Sequence, residues 1–201
     1  MINSEHVKEE WMPCPKIETD WPGLTFIYPL DEIIIVKKTD VLHQVIGGKG
    51  FCYTIFNNQQ QKVFIAVQES HKKKYNLKIF NYYGNEVIQV RKPCGLCLNR
   101  VLIWAPPGNF VGSVEKIFTC CPTTYLVKNS QGDVVLKIKA CKCFKFEYDI
   151  LANGKKIGKM RNEHHKRNVF KENVAASFPA EIDIGYKAVL IGACFLINFL
   201  N

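Results

Sequence analysis

Nine cysteines and one long cationic run are the residues best able to do chemistry in this chain. Cys94-x-x-Cys97 and Cys141-x-Cys143 together offer four thiolates, a donor set that zinc accepts. The second pair has a one-residue spacing and falls at a strand start. Both side chains would then share a face without a chelating turn, which argues against zinc. The first fifteen residues, MINSEHVKEEWMPCP, contain no apolar run that would serve as a secretory leader. A reducing compartment and free thiols are therefore expected, and packing, metal binding and lipid attachment stay open as roles for the cysteines.

The cations cluster. Lys155, Lys156, Lys159 and Arg161 are followed by His164, His165, Lys166 and Arg167. Between Lys137 and Asn168 ten Lys or Arg stand against three Asp or Glu, and most of the chain's net charge of +9 sits there. A run of this kind is often only a solvated face. Its density also suits an acidic partner: an anionic phospholipid membrane, nucleic acid, or the groove of an import receptor. The two histidines lie near their titration range, but a His pair alone defines no catalyst. The sequence holds no nucleophile–base motif, Gly-rich phosphate loop or HExxH. Nothing in it therefore indicates an enzyme that makes or breaks covalent bonds.

The elements that must position these residues read as strands. At 201 residues, with 47% hydrophobic and 22% charged residues, the chain suits one globular domain, 23–201, behind a short tail, 1–22. Trp11 and Trp21 in that tail are expected to pack back on the domain. An apolar run, an Asn/Gly-rich turn and a second apolar run recur four times. The turns are 57–60, 81–85, 129–133 and 152–155. Asn, Asp and Gly tolerate the backbone angles of tight hairpins. Leu136, Ile138 and Ala140 alternate with Lys137 and Lys139, and Phe144, Phe146, Tyr148 and Ile150 alternate with Lys145, Glu147 and Asp149. That period of two gives a sheet with one dry and one wet face, closed as a sandwich or a barrel.

The pattern changes at 188–200, AVLIGACFLINFL, where Asn198 is the one polar residue. Such a helix is apolar on every side and must be buried all round. Thirteen residues span roughly 20 Å, short of the ~30 Å hydrocarbon layer, so a core helix over about 187–200 is the first reading and a membrane span the second. Asn201 follows directly, with no segment to mark a far side, which adds weight to the core reading. An apolar helix inside a barrel satisfies both halves of the chain.

Several short blocks, in order, resemble the phospholipid scramblase family. They are Trp11-Met12-Pro13 with Pro22-Gly23-Leu24, Asn85-Glu86-Val87-Ile88 with Arg91-Lys92-Pro93-Cys94, and Ala105-Pro106-Pro107-Gly108 with Val111-Gly112. The most specific is Phe178-Pro179, Ile182-Asp183, then Lys187-Ala188-Val189 and Ile191 to Ile197. The resemblance implies a fold similar to tubby-like proteins: mainly β, an antiparallel twelve-stranded closed barrel enclosing a hydrophobic C-terminal helix. Val189, Ile191, Cys194, Phe195 and Ile197 would belong to that central helix. The activity it implies is calcium-dependent, ATP-independent movement of phospholipids between leaflets, on the cytoplasmic side of a membrane, with palmitoylation and nuclear import in some members.

The implied calcium segment is 170–183. Calcium takes several oxygen ligands, and Glu172, Asn173, Ser177, Glu181 and Asp183 can supply them. The family's leading Asp is Phe170 here and its mid-loop Gly is Ala175, so this is a divergent member whose calcium affinity is expected to be weak. The implied palmitoylation cluster is reduced to Cys94 and Cys97, with Cys120 and Cys121 as further candidates, and two acyl chains suffice for a stable anchor. The basic run coincides with the family's import region. Moving lipid changes no covalent bond but needs a headgroup path, and an enclosed helix does not supply one. A binding module that recognises anionic lipid or nucleic acid without moving lipid is the competing reading.

Overall fold

The computed structural model describes residues 10–17, 21, 23–38, 51–71, 74–93, 99–117, 122–141, 147–164 and 172–199. Among them lie twelve strands: β1 (Glu32–Lys38), β2 (Cys52–Phe56), β3 (Lys62–His71), β4 (Lys74–Phe80), β5 (Glu86–Lys92), β6 (Arg100–Trp104), β7 (Phe110–Ile117), β8 (Thr124–Asn129), β9 (Val134–Ala140), β10 (Glu147–Ala152), β11 (Lys155–His164) and β12 (Glu172–Ser177). Each pairs antiparallel with the next, and β12 returns to β1 with Ile33 opposite Ala176 and Ile35 opposite Val174. The meander closes on itself as a barrel without an unpaired edge.

The turns share a device. Asn57, Asn81 and Asn129 each open a hairpin turn, and each side-chain oxygen accepts backbone N–H groups inside it, among them Gln61 at 2.8 Å, Asn85 at 3.0 Å and Asp133 at 2.8 Å. An Asn side chain here completes the turn that the backbone alone would leave open. Between β10 and β11 the turn is Asn153-Gly154 with φ of 49° and 77°, the two-residue hairpin that needs positive φ at both positions.

Helix α1 (Ile184–Phe199) lies within the strands, and residues 184, 185 and 187–197 are all buried. It begins three residues before the expected start. The Asp183 carboxylate accepts the Tyr186 N–H at 3.2 Å and its carbonyl accepts the Lys187 N–H at 3.0 Å, so Asp183 is the N-cap. Close approach is set by glycine. A Cβ on Gly192 would meet Ile103 at 2.6 Å, and one on Gly112 would meet the Lys128 carbonyl oxygen at 2.2 Å and Val189 at 3.0 Å. Phe195 meets Tyr53 edge-on at 5.1 Å. Apolar side chains face α1, and Lys137 and Lys139 face out, the reverse of a lipid-facing barrel.

The Trp11 and Trp21 backbones join this frame. Lys62 donates to the Glu10 carbonyl at 2.7 Å and accepts from Met12 at 2.8 Å, while Leu24 donates to the Trp21 carbonyl at 3.1 Å. The expected strand over 144–150 is described from Glu147 onward. Phe144 and Phe146 lie outside the described residues.

Candidate functional site

The outer face of β9, β10 and β11 gathers the cations. Lys139 pairs in register with Asp149, and Asp149 with Lys159; Glu147 pairs with Arg161. Lys137, Lys139, Lys155, Lys156 and Lys159 are exposed. Two carboxylates offset part of this charge. Lys156 forms an ion pair with Asp149, and Arg161 reaches Glu32 on β1 at 3.6 Å. The Lys156 hydrogen bond holds the Asp149 carboxyl below its ordinary range, and the same bond raises the Lys156 ammonium. Lys166 and Arg167 lie outside the described residues. The sequence showed the run along β11 but not that the sheet sets Lys137 and Lys139 across β10 from it.

The five oxygen-bearing candidates are not brought together as one cage. Glu172 and Asn173 begin β12 and Ser177 ends it. Asn173 and Ser177 are four residues apart on an extended strand, about 13 Å. The Asn173 side-chain oxygen is buried and has no hydrogen-bond partner, whereas the Ser177 hydroxyl donates to the Lys159 carbonyl at 3.5 Å. Glu181 and Asp183 are exposed beyond Pro179, and one Asp183 oxygen is taken by the helix cap. Calcium requires six to eight oxygens within 2.6 Å, and this donor set fits that demand poorly. Among the described residues no three His, Cys, Asp or Glu side chains are placed to hold a metal ion.

The acylation candidates Cys94, Cys97, Cys120 and Cys121 lie outside the described residues, as does Cys143 of the zinc pairing. Cys141 is exposed and free just after β9, which ends at Ala140, and not at the strand start expected for it. Burial is the largest cause of its raised pKa, followed by a hydrogen bond with Asp149. Cys52 and Cys194 are free and buried, and burial pushes the Cys194 thiol up to about 12. Val189, Ile191, Cys194 and Phe195 are 0% exposed and Ile197 is 6% exposed, which makes them wall contacts of a core helix. No helix among the described residues is long and apolar enough to cross a membrane.

Sequence reasoning missed one residue here. Lys187, in the first turn of α1, is 0% exposed. Its ammonium donates to the carbonyls of Tyr28 at 2.6 Å, Ala180 at 2.7 Å, Leu30 at 2.8 Å and Ile27 at 3.3 Å. Burial pushes its pKa down to about 8, against the pull of the Glu181 and Asp31 carboxylates. The carbonyls also favour the charged form, because a neutral amine would donate to only two of them. The signal available in sequence was a lone Lys at the mouth of an apolar run. Nearby, a recess of about 240 Å³ is lined by Trp21, Asn109, Phe110, Asn129, Asp183 and Tyr186 among others.

A family model described as Scramblase matches residues 12–201. The chain belongs to the scramblase family. It is 29% identical to human phospholipid scramblase 2 over 219 residues, covering 94% of this chain and 74% of that protein. Human phospholipid scramblase family member 5 is 31% identical over 207 residues, covering 89% of this chain and 76% of that one. The same fold occurs in the crystal structure of an Arabidopsis thaliana protein, with a TM-score of 0.54 and 12% identity over 86% of this chain and 96% of that one. This scramblase-family domain thus keeps the barrel while its oxygen donors in 172–183 are spread along a strand and a helix cap.

Proposed function

We propose that this domain moves phospholipids between the leaflets of a membrane without covalent chemistry or ATP, docking from the cytoplasmic side through the basic outer face of β9–β11. The observation that carries this reading is the Scramblase match over residues 12–201. The exposed Lys137, Lys139, Lys155, Lys156 and Lys159 supply a surface that attracts anionic headgroups. The barrel lumen is filled by α1. A headgroup path through it would have to displace the core, so lipid transfer is assigned to the outer surface and the bilayer it perturbs.

Calcium would act weakly. Glu181 and Asp183 are exposed carboxylates that could bind it, and Asp183 is partly committed to the cap. Acylation at Cys94, Cys97, Cys120 or Cys121 would strengthen anchoring. The filled lumen favours a second reading, in which the domain binds anionic membranes and moves no lipid.

One experiment separates the two. Purified protein is reconstituted into vesicles carrying a dithionite-quenchable lipid, with and without calcium, and no ATP. Loss of inner-leaflet fluorescence beyond that of empty vesicles supports lipid movement. Sedimentation with anionic vesicles but no such loss supports the binding module. The variant Lys137→Glu/Lys139→Glu/Lys159→Glu should lower the fraction bound at least tenfold at low salt and much less at high salt. Unchanged binding to anionic vesicles would remove the β9–β11 face from the mechanism.

A further inference from the structure

Lys187 is fully buried, and three of its four partners are 157 to 160 residues away in sequence. An ammonium has three N–H donors. The carbonyls of Tyr28, Ala180 and Leu30, at 2.6 to 2.8 Å, take one each. The Ile27 carbonyl stands fourth at 3.3 Å and also accepts the Leu30 N–H at 3.0 Å. Two separate loops converge here. One comprises the 3-10 turn Thr25–Ile27 and the residues leading from it into β1; the other joins β12 to α1. The Phe178 ring lies 5.8 Å from the ammonium. The charged groups facing the site are the Glu181 and Asp31 carboxylates, which act through space. The described hydrogen-bond partners are all neutral backbone oxygens.

Four oxygens of neutral dipoles converging on one positive charge form the kind of cage that elsewhere holds a monovalent cation. A lysine near a helix N-terminus is also opposed by the helix dipole, so its position there needs the cage to compensate. We propose that residues 27, 28, 30 and 180 form a cation site whose resident ion is the protein's own ammonium, and that this ion fastens the entry of α1 to the start of the barrel. The site recognises a primary alkylammonium.

Removing the side chain beyond Cβ should leave a hole shaped for propylammonium. The test is thermal unfolding of the intact chain as wild type, Lys187→Ala and Lys187→Met at pH 7 and constant ionic strength. Leaving buried carbonyls unpaired should lower Tm by about 5 °C or more in both variants. Propylammonium chloride should then raise the Tm of Lys187→Ala along a saturating curve. It should not raise that of Lys187→Met, whose side chain fills the stem, and 1-propanol should rescue neither. Equal rescue by 1-propanol would mean a plain cavity and would overturn the proposal. So would the absence of any rise with propylammonium. If Lys187→Ala does not fold without the amine, refolding yield against propylammonium and 1-propanol is read instead, with the same two outcomes. A Lys187→Met variant within about 1 °C of wild type would also overturn it. None of these readouts involves lipid, so their failure leaves the lipid-moving reading untouched.

Discussion

Phe195→Ala tests whether α1 is the core of the barrel. The ring is 0% exposed, 5.1 Å from Tyr53 and 5.7 Å from Phe199. Truncating a fully buried Phe costs about 3–5 kcal/mol, from lost transfer energy and the cavity left behind. The edge-on contact with Tyr53 contributes ~0.5–1.5 kcal/mol of that total. The upper half of the range, about 4–5 kcal/mol, is the expected loss, because the helix backbone is held on several sides and the hole cannot collapse. Against a total stability of about 5–15 kcal/mol this is a large fraction. It corresponds to a Tm drop of about 10–20 °C for a domain of this size. The assay is urea and thermal unfolding followed by circular dichroism, in buffer without detergent or lipid. The urea midpoint should fall with an unchanged slope. Gln131→Ala, at an exposed residue of the turn between β8 and β9, should change stability by less than about 0.5 kcal/mol and serves as the control. A loss below about 1 kcal/mol in Phe195→Ala would mean the ring is not packed as described.

Two further outcomes follow from the barrel wall. Gly112→Ala should destabilise by about 2–3 kcal/mol, because its Cβ would sit 2.2 Å from the Lys128 carbonyl oxygen on the paired strand. A Gly112→Ala variant as stable as wild type in urea would contradict the close packing of β7 and β8. The Lys128 ammonium, 2.8 Å away, holds the Glu115 carboxyl below its ordinary range. A depressed folded pKa adds stability above the unfolded value, about 4.3, and that contribution is lost as pH falls through the folded pKa. Glu115→Gln should therefore cost about 0.5 kcal/mol at pH 7, and that cost should shrink as pH falls through the folded pKa. A gap that widens on acidification would reverse the sign of this linkage.

Much of the fold was readable because its determinants are local. The alternation of Leu136, Ile138 and Ala140 with Lys137 and Lys139 marks a half-buried strand, and β9 follows it. Asn57, Asn81 and Asn129 mark turns by side-chain chemistry that acts over four residues. The apolar run of α1 announced its own burial. Its true start did not, since the Asp183 cap lies outside the apolar pattern. The site was less legible because its members meet through the sheet. The partners of Arg161 and Lys156 are Glu32 and Asp149 on other strands. Lys187 was the hardest, because a lysine is ordinarily solvated and three of its acceptors are carbonyls near the other end of the chain. The oxygen donors of 172–183 suggested one segment, but an extended strand keeps Asn173 and Ser177 apart.

The central claim is that α1 stays inside the barrel while lipid moves around it. Helix and wall approach closely at Gly192 and Ile103, where a Cβ on Gly192 would lie 2.6 Å from the Ile103 side chain. Cysteines at both positions, Ile103→Cys/Gly192→Cys, would lie close enough for a disulfide. With the crosslink verified by mass spectrometry, dithionite-resolved lipid movement is compared in oxidised and reduced protein. The account predicts equal rates, each above empty vesicles. Loss of movement on oxidation, with recovery on reduction, would show that the helix must leave the barrel.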